Sequence, residues 1–114
     1  MSNKIIKPQD RIDSLFLDER KVFIWGMVDD KSAKHVVDRL MYLDSLSNDE
    51  IKFYINSPGG YVTSGFSIYD TMQAIKSPVS TICTGLAASM GSILLSGGEK
   101  GKRLIQKHAR VMIH

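Results

Sequence analysis

Apolar and polar positions along the chain follow two different periods, and these periods predict an alternation of strands and helices. The run Lys21–Trp25, "KVFIW", is rich in β-branched and aromatic residues and stops at a glycine, which predicts a buried strand. Residues 51–56, "IKFYIN", alternate strictly between apolar and polar, as a strand with one buried face does. Further strands are predicted over 79–84, near 103–106 and near 110–114.

A helical period fills the segment between the first two strands. Asp29, Asp30 and Ser32 each offer a side chain that can cap the start of a helix. The apolar residues that follow recur at i, i+3, i+4, i+7 and i+8, which predicts one buried face made of Ala33, Val36, Val37, Leu40 and Met41.

Two more helices are predicted. One begins after "SPGG" at 57–60 and ends before Pro78, with its apolar face at Phe66, Tyr69, Met72 and Ile75. The other extends from the small-residue segment 85–98 to about Gly97. Strands that alternate with helices predict an α/β fold with largely parallel strands, in one domain over 21–114. Residues 1–20 are polar and contain Pro8, and we predict an irregular arm or loop there.

Composition narrows the class of protein. The chain has 114 residues, 43% hydrophobic content and a net charge of +3, which fits one globular core and is too weakly basic to indicate nucleic acid as a partner. One basic cluster stands out but carries no aromatic residues for base stacking, so we expect a solvated hairpin at Lys100, Lys102, Arg103, Lys107, His108 and Arg110.

The cellular location of the protein is predicted from its single cysteine and from the length of its apolar runs. The single cysteine, Cys83, lies in an apolar strand pattern and is expected to be a buried hydrophobe in a reducing cytoplasm. The start "MSNKIIKPQD" does not resemble a signal peptide, and no run approaches the roughly 20 apolar residues of a membrane helix.

The spacing of residues along the chain argues against several kinds of binding site. A phosphate-binding P-loop ending at Lys102 would need glycine at position 96 and a hydroxyl residue at 103, where the chain has Ser96 and Arg103. No dinucleotide-binding G-x-G-x-x-G follows a strand, and three His and one Cys lack metal-ligand spacing, so no cofactor or metal is expected.

Nucleophilic hydrolysis fits better. In "GLAASMGSILLSGG" at 85–98, Ser89 stands between small residues where a strand ends and a helix begins, as a nucleophile at a sharp elbow does. The N–H of Met90 and the loop Gly59-Gly60 could donate to an oxyanion. Three histidines could act as the base, and His114 at the end of "RVMIH" is favoured over His35 and His108. A helix-capping serine and a chain-end histidine remain the structural alternatives.

Longer stretches carry a family resemblance. The segments "FYINSPGG", "IYDTMQAIKSPVSTICTGLAASMGS", "GGEKGKR" and "ARVMIH", in this order and spacing, closely resemble the ClpP family, the proteolytic subunits of ATP-dependent Clp proteases. The resemblance implies a crotonase-like fold of repeated β-α-β units and a serine endopeptidase that degrades unfolded proteins. It also implies heptameric rings stacked in pairs as a tetradecamer, homomeric or with a paralogous subunit, fed by an ATPase unfoldase of the ClpX, ClpA or ClpC type.

The resemblance assigns roles residue by residue. Ser89 matches the nucleophile and His114 the general base, while Gly60 and Met90 match the two backbone oxyanion donors. Positions that match the contacts to an extended polypeptide substrate are Tyr61 and Val62. The ATPase-docking pocket of the family maps onto Lys52, Tyr54, Ile82, Thr84, Leu104 and Gln106, three of which are more polar than usual, so we expect weak docking.

One departure keeps other functions open. The family continues past the histidine with a handle helix, further strands and a catalytic Asp, whereas the sequence given stops at His114. We therefore expect a fragment of a longer protein, inactive as given. The alternatives are a catalytically silent structural or regulatory subunit of a mixed Clp assembly and a crotonase-type enzyme that stabilises a thioester enolate.

Overall fold

The computed structural model describes residues 5–113, which form a two-layer α/β structure. The helices and strands, in chain order, are α1 (Pro8–Asp18), β1 (Lys21–Trp25), α2 (Asp30–Leu46), β2 (Ile51–Ser57), α3 (Val62–Ala74), β3 (Val79–Ala88), α4 (Met90–Ser96), β4 (Arg103–Ile105) and β5 (Arg110–Met112). Among these residues, no helix combines the length and apolar character that crossing a membrane requires.

The strands form one parallel sheet, as predicted from the alternation of strands and helices. The order is β1-β2-β3-β4, and β5 also pairs with β3. Because every strand runs in the same direction, the carboxyl ends of β1, β2, β3 and β5 meet at one edge of the sheet. This is the edge at which open α/β sheets bind their ligands.

Helices α2, α3 and α4 cover one face of the sheet. The alternation predicted for β2 is confirmed, because Ile51, Phe53 and Ile55 are fully buried. They pack in one cluster with Val36 and Leu40 of α2 and with residues of α3 and α4. The opposite face, which we call the outer face, carries residues that are mostly half-buried or exposed, with Ser80 and Ile82 as buried exceptions.

Helix α2 begins as its sequence predicts. The Asp29 carboxylate accepts from the Ser32 N–H at 2.8 Å, and the Ser32 hydroxyl accepts from the Asp29 N–H at 3.0 Å. These two bonds satisfy donors that the first helical turn leaves free, and the first of them holds the pKa of Asp29 below its ordinary value. Met41, expected on the buried face, is exposed because Leu43 occupies the buried position one turn after Leu40.

The prediction of irregular structure is wrong for residues 8–18, which form α1. Pro8 stands in the first turn, where its missing N–H and fixed φ favour a helix instead of breaking it. Phe16 packs on Phe23 of β1, with 4.7 Å between ring centroids, although no residue of α1 is fully buried. The boundary of the domain at residue 20 stays a prediction.

The hairpin expected for the basic cluster is also wrong. β4 pairs with Thr81–Cys83 and β5 with Leu86–Ala88, both in parallel, so they are two parts of one interrupted edge strand. The turn 106–109, closed by the Ala109 N–H donating to the Gln106 carbonyl, shifts the strand without reversing it.

β3 is longer than predicted. It continues past residue 84 to Ala88 because Gly85, with φ +76°, absorbs a bulge beside the Asn56 side chain. In α3, Phe66 is exposed and stands edge-on to Tyr69, while Ser64, Gly65, Ile68 and Met72 take the buried positions. Small residues were missed there because an apolar period does not detect them.

Candidate active site

Ser89 occupies the elbow between β3 and α4. Its backbone has φ 52° and ψ −120°, a conformation that costs a residue with a Cβ atom about 1–3 kcal/mol. The Ser89 side chain is exposed, whereas its neighbours Ala88 and Met90 are buried. Among residues 5–113, the Ser89 hydroxyl has no hydrogen-bond partner, so it is presented to solvent at the carboxyl edge of the sheet.

Backbone hydrogen bonds hold the elbow on both sides. The Ser89 N–H donates to the Met112 carbonyl of β5 at 2.9 Å. The Ser89 carbonyl accepts from the N–H and the hydroxyl of Ser92, at 2.9 and 2.6 Å, and from the Ile93 N–H at 3.3 Å. Ser92 is thus a residue of this site that sequence reasoning missed, and its spacing of three from Ser89 is the signal that could have found it.

The loop after β2 packs directly against this elbow. A Cβ on Gly59 would lie 3.0 Å from the Ser89 Cβ and 3.1 Å from the Met90 nitrogen, and φ at Gly59 is +101°. A Cβ on Gly91 would lie 2.8 Å from the Ser57 carbonyl oxygen. Glycine therefore lets the two backbones approach where any side chain would separate them.

Gly60 lies in a second close contact, with the turn after β1. It forms a parallel bridge with Val28, whose N–H donates to the Gly59 carbonyl at 2.9 Å and whose carbonyl accepts from the Tyr61 N–H at 2.8 Å. A Cβ on Gly60 would overlap the Val28 carbonyl. Sequence reasoning missed Val28, because a lone valine in a turn carries no chemical signal.

Two buried side chains orient the loops. The Met90 side chain lies against Gly65 of α3, where a Cβ would collide with it, and this contact anchors the first residue of α4. The Ser57 hydroxyl accepts from the Gly59 N–H at 3.0 Å, a local serine turn that precedes the glycines. Neither the Gly60 N–H nor the Met90 N–H donates a hydrogen bond to any residue in 5–113.

The two predicted substrate contacts lie beside this loop. Tyr61 precedes α3 and Val62 begins it, and they are 64% and 60% exposed. Their exposure beside Gly60 leaves them accessible to a bound chain.

His114 lies outside the described residues. The nearest described part of β5 is in register with the elbow, since Met112 pairs with Ala88. His35 lies on the exposed side of α2, where partial burial and the Arg39 charge lower its pKa, and His108 lies in the turn 106–109. Neither forms a hydrogen bond with Ser89.

Four of the six predicted docking residues share one surface cavity. It measures about 270 Å³ and its lining includes Lys52, Tyr54, Ile82 and Leu104. Thr84 is at the β3 bulge and Gln106 begins the turn after β4, and neither lines this cavity. The bulge displaces Thr84 from the regular part of the sheet, whereas the Gln106 N–H still donates to the Cys83 carbonyl at 3.0 Å.

Other chemistries have little support in this part of the molecule. Cys83 is fully buried, and desolvation raises the pKa of its thiol, which keeps it protonated and unreactive. Across residues 5–113, no three His, Cys, Asp or Glu side chains come together as metal ligands.

Comparison with known protein families agrees with this arrangement. Residues 7–114 match the family model described as Clp protease, a family of serine peptidases, so the match includes the elbow, the glycine loop and the whole sheet. With the α/β fold and parallel sheet described above, this match shows that the chain belongs to the Clp protease family.

Proposed function

We propose that this chain is the proteolytic subunit of a Clp-type serine endopeptidase, with Ser89 as its nucleophile. The observation that carries the proposal is the strained, exposed elbow of Ser89 packed against Gly59. A serine that only capped a helix would direct its hydroxyl to the first-turn N–H groups, and Ser89 makes no such bond. A nucleophile requires an uncovered hydroxyl at a rigid backbone position.

The proposed reaction is acyl transfer to Ser89. The hydroxyl oxygen attacks the carbonyl carbon of the scissile peptide bond while the His114 imidazole takes its proton. The resulting oxyanion accepts from the N–H groups of Gly60 and Met90, and the leaving amine then takes the proton from His114. Water hydrolyses the acyl-enzyme in a second step and restores the serine.

The two proposed oxyanion donors are supported by their surroundings. Neither N–H has a protein acceptor within residues 5–113, and both belong to segments that Gly59 and Gly65 hold against neighbouring backbone or side chains. Fixed donors of this kind are effective because they need no reorganisation as charge develops. Tyr61 and Val62, exposed beside Gly60, would contact an extended polypeptide substrate.

Assembly and location belong to the same proposal. We infer that the subunit works in the cytoplasm within heptameric rings that receive unfolded polypeptides from a Clp ATPase. The outer face of the sheet, with the cavity at Tyr54, Ile82 and Leu104, would be the surface on which that ATPase docks.

An active-site label tests the central assignment. We expect a biotinylated fluorophosphonate to form one adduct, mapped by peptide mass spectrometry to Ser89, in the protein isolated from its native source. Ser89→Ala should abolish the adduct, and Ser96→Ala should keep it because Ser96 is an exposed serine on the same helix. A well-folded protein that takes no label at Ser89 would contradict the proposal and favour a silent subunit.

A further inference from the structure

The outer face of the sheet carries a continuous row of apolar side chains. The strand register places Phe23 beside Tyr54, Tyr54 beside Ile82, and Ile82 beside Leu104. The Phe23 and Tyr54 rings stack with 4.9 Å between centroids, and Leu104 is 58% exposed at the end of the row. We call Phe23, Tyr54, Ile82 and Leu104 the apolar row.

A second row, next to the first, carries positive charge. Lys21 pairs in register with Lys52, and Lys52 pairs with Ser80, one same-face step before the apolar row. Lys102 stands at the same level, because its carbonyl accepts from the Thr81 N–H at 3.0 Å. We call Lys21, Lys52 and Lys102 the basic row.

Only part of this charge is neutralised within the described chain. Glu19 lies 3.2 Å from the Lys21 ammonium, and Glu50 lies 2.7 Å from that of Lys102. Lys52 is exposed and forms no ion pair with any residue in 5–113. One lysine at the centre of the basic row is therefore available to an outside carboxylate.

The cavity joins the two rows. Its lining includes Tyr54, Ile82 and Leu104 of the apolar row together with Lys52 and Lys102 of the basic row. At about 270 Å³ it holds one or two side chains and is too small for a helix or a folded domain. A segment seated there touches an apolar surface and a free ammonium group at once.

We propose that this face selects partner segments in which an acidic side chain stands next to an apolar one, and that Lys52 determines this preference. The partner is an extended segment of another protein, and the proposal rests on the proposed function because it takes this face as the docking surface of the ATPase. Alternate side chains of an extended segment project to one side about 6.5–7 Å apart. That spacing equals the step between the basic and apolar rows, since Lys52 and Tyr54 are themselves two residues apart on β2.

Binding of matched short peptides tests the preference. The probes are three fluorescein-labelled peptides extended by glycines. Each carries one Leu and, two positions away, either Glu, Gln or Lys. With the whole chain at about 50 mM salt, the Glu peptide should bind about threefold more tightly than the Gln peptide, and the Lys peptide more weakly than both. At about 1 M salt the differences should disappear while binding through the Leu side chain remains.

Variants assign the preference to Lys52. Lys52→Gln should bind the Glu and Gln peptides equally, and Lys52→Glu should prefer the Lys peptide. Lys34→Gln removes the same charge from α2, on the other side of the sheet, and should keep the wild-type preference. Leu104→Ala should weaken all three peptides by the same factor, because it removes apolar contact only.

Two outcomes would overturn the proposal. Equal affinity of the wild-type chain for the Glu and Gln peptides would show that Lys52 does not select its partner, and absence of binding up to millimolar protein would show that the face is not a docking surface. Labelling of Ser89 is measured on the same preparations. If Ser89 is labelled but the chain shows no preference among the peptides, only the docking proposal is contradicted. If the chain shows the preference but Ser89 is not labelled, only the peptidase assignment is contradicted.

Discussion

The two ends of the sheet each contain a residue with a Cβ atom and positive φ, and the two residues are used in opposite ways. Within residues 5–113, the non-glycine residues with positive φ are Arg20, with φ 59°, and Ser89, with φ 52°. Arg20 stands just before β1, at the amino edge of the sheet, and its side chain is fully engaged. Ser89 stands just after β3, at the carboxyl edge, and its side chain has no partner among these residues.

Side chains hold the amino edge together. The Arg20 guanidinium donates to the carbonyls of Leu43, Ser47, Asp49 and Glu50, and to the Ser77 hydroxyl, at 2.9 to 3.3 Å. One cation thereby joins the Leu43 carbonyl in the last turn of α2 to the carbonyls of the turn that leads into β2. Asp44 accepts from both the N–H and the hydroxyl of Ser77, which adds the turn before β3.

Backbone contacts hold the carboxyl edge together. Gly59, Gly60 and Gly91 allow three loops to touch without intervening side chains. An edge that has only to be stable can be filled with polar side chains, whereas an edge that must admit a ligand is better built from backbone. The comparison indicates that strain at Arg20 is offset by side-chain hydrogen bonds within the fold, whereas strain at Ser89 has no such compensation among residues 5–113, which is consistent with the nucleophile role proposed for Ser89.

The largest effect is expected for Gly60→Ala, which adds a methyl group at the backbone contact of the carboxyl edge. The new Cβ overlaps the Val28 carbonyl, so we expect the free energy of unfolding to fall by about 3 kcal/mol or more. Gly26→Ala is the control, because Gly26 has φ +96° but open space around it, and should cost about 1 kcal/mol. Chemical denaturation measures both. Equal losses would mean that crowding at Gly60 does not hold this edge.

The second largest effect is expected for Arg20→Met, which removes the side-chain hydrogen bonds at the amino edge. It removes the guanidinium hydrogen bonds to four backbone carbonyls and to the Ser77 hydroxyl, and we expect a loss of about 2–3 kcal/mol in the free energy of unfolding. Arg20→Lys should recover less than half, because an ammonium group cannot reach the same set of acceptors. Arg11→Met, at an exposed position on α1, should change stability by less than about 0.5 kcal/mol. If denaturation curves gave Arg20→Met the same small loss of stability as Arg11→Met, the Arg20 hydrogen bonds would not stabilise this edge.

Glycine substitution distinguishes the two strained residues. Ser89→Gly should be more stable than Ser89→Ala by about 1 kcal/mol, because only glycine is relaxed at this φ and ψ. Arg20→Gly should be less stable than the wild type, since the lost hydrogen bonds outweigh the relieved strain. Melting temperatures of the three variants make the test, and a Ser89→Gly variant less stable than Ser89→Ala would argue against strain at the elbow.

The smallest effect concerns the pH dependence of the amino edge. Hydrogen bonds from the Ser77 N–H and hydroxyl hold the pKa of the Asp44 carboxyl below its ordinary value. The folded state therefore binds fewer protons than the unfolded state, and the stabilisation is complete above the unfolded pKa of about 3.9 and lost as pH falls through the folded pKa. The stability gap between the wild type and Asp44→Asn should narrow below about pH 4, with a slope of at most one proton. A gap that stays constant to pH 2 would contradict this linkage.

Local sequence patterns predicted much of the fold and the position of the elbow. The strict alternation of 51–56 required a half-buried strand, the Asp29 and Ser32 pair required a helix start, and small residues around Ser89 indicated an uncovered hydroxyl. These features depend on neighbours within a few residues, so they can be predicted from a short stretch of sequence. The helix at 8–18 had a signal of the same kind, since Ile12, Leu15 and Phe16 recur at helical spacing, but the proline outweighed it in the prediction.

Contacts between distant segments could be decided only by the tertiary structure. The Gly60–Val28 bridge joins residues 32 positions apart, and Arg20 reaches Ser77 across 57 positions. The conversion of the expected hairpin into an interrupted edge strand also depended on β3, which offers both β4 and β5 a parallel partner. The sequence alone determined which residues could be uncovered, strained or charged, because those properties are local. Which of them meet was determined by the register and handedness of the sheet, which no short stretch of the chain encodes.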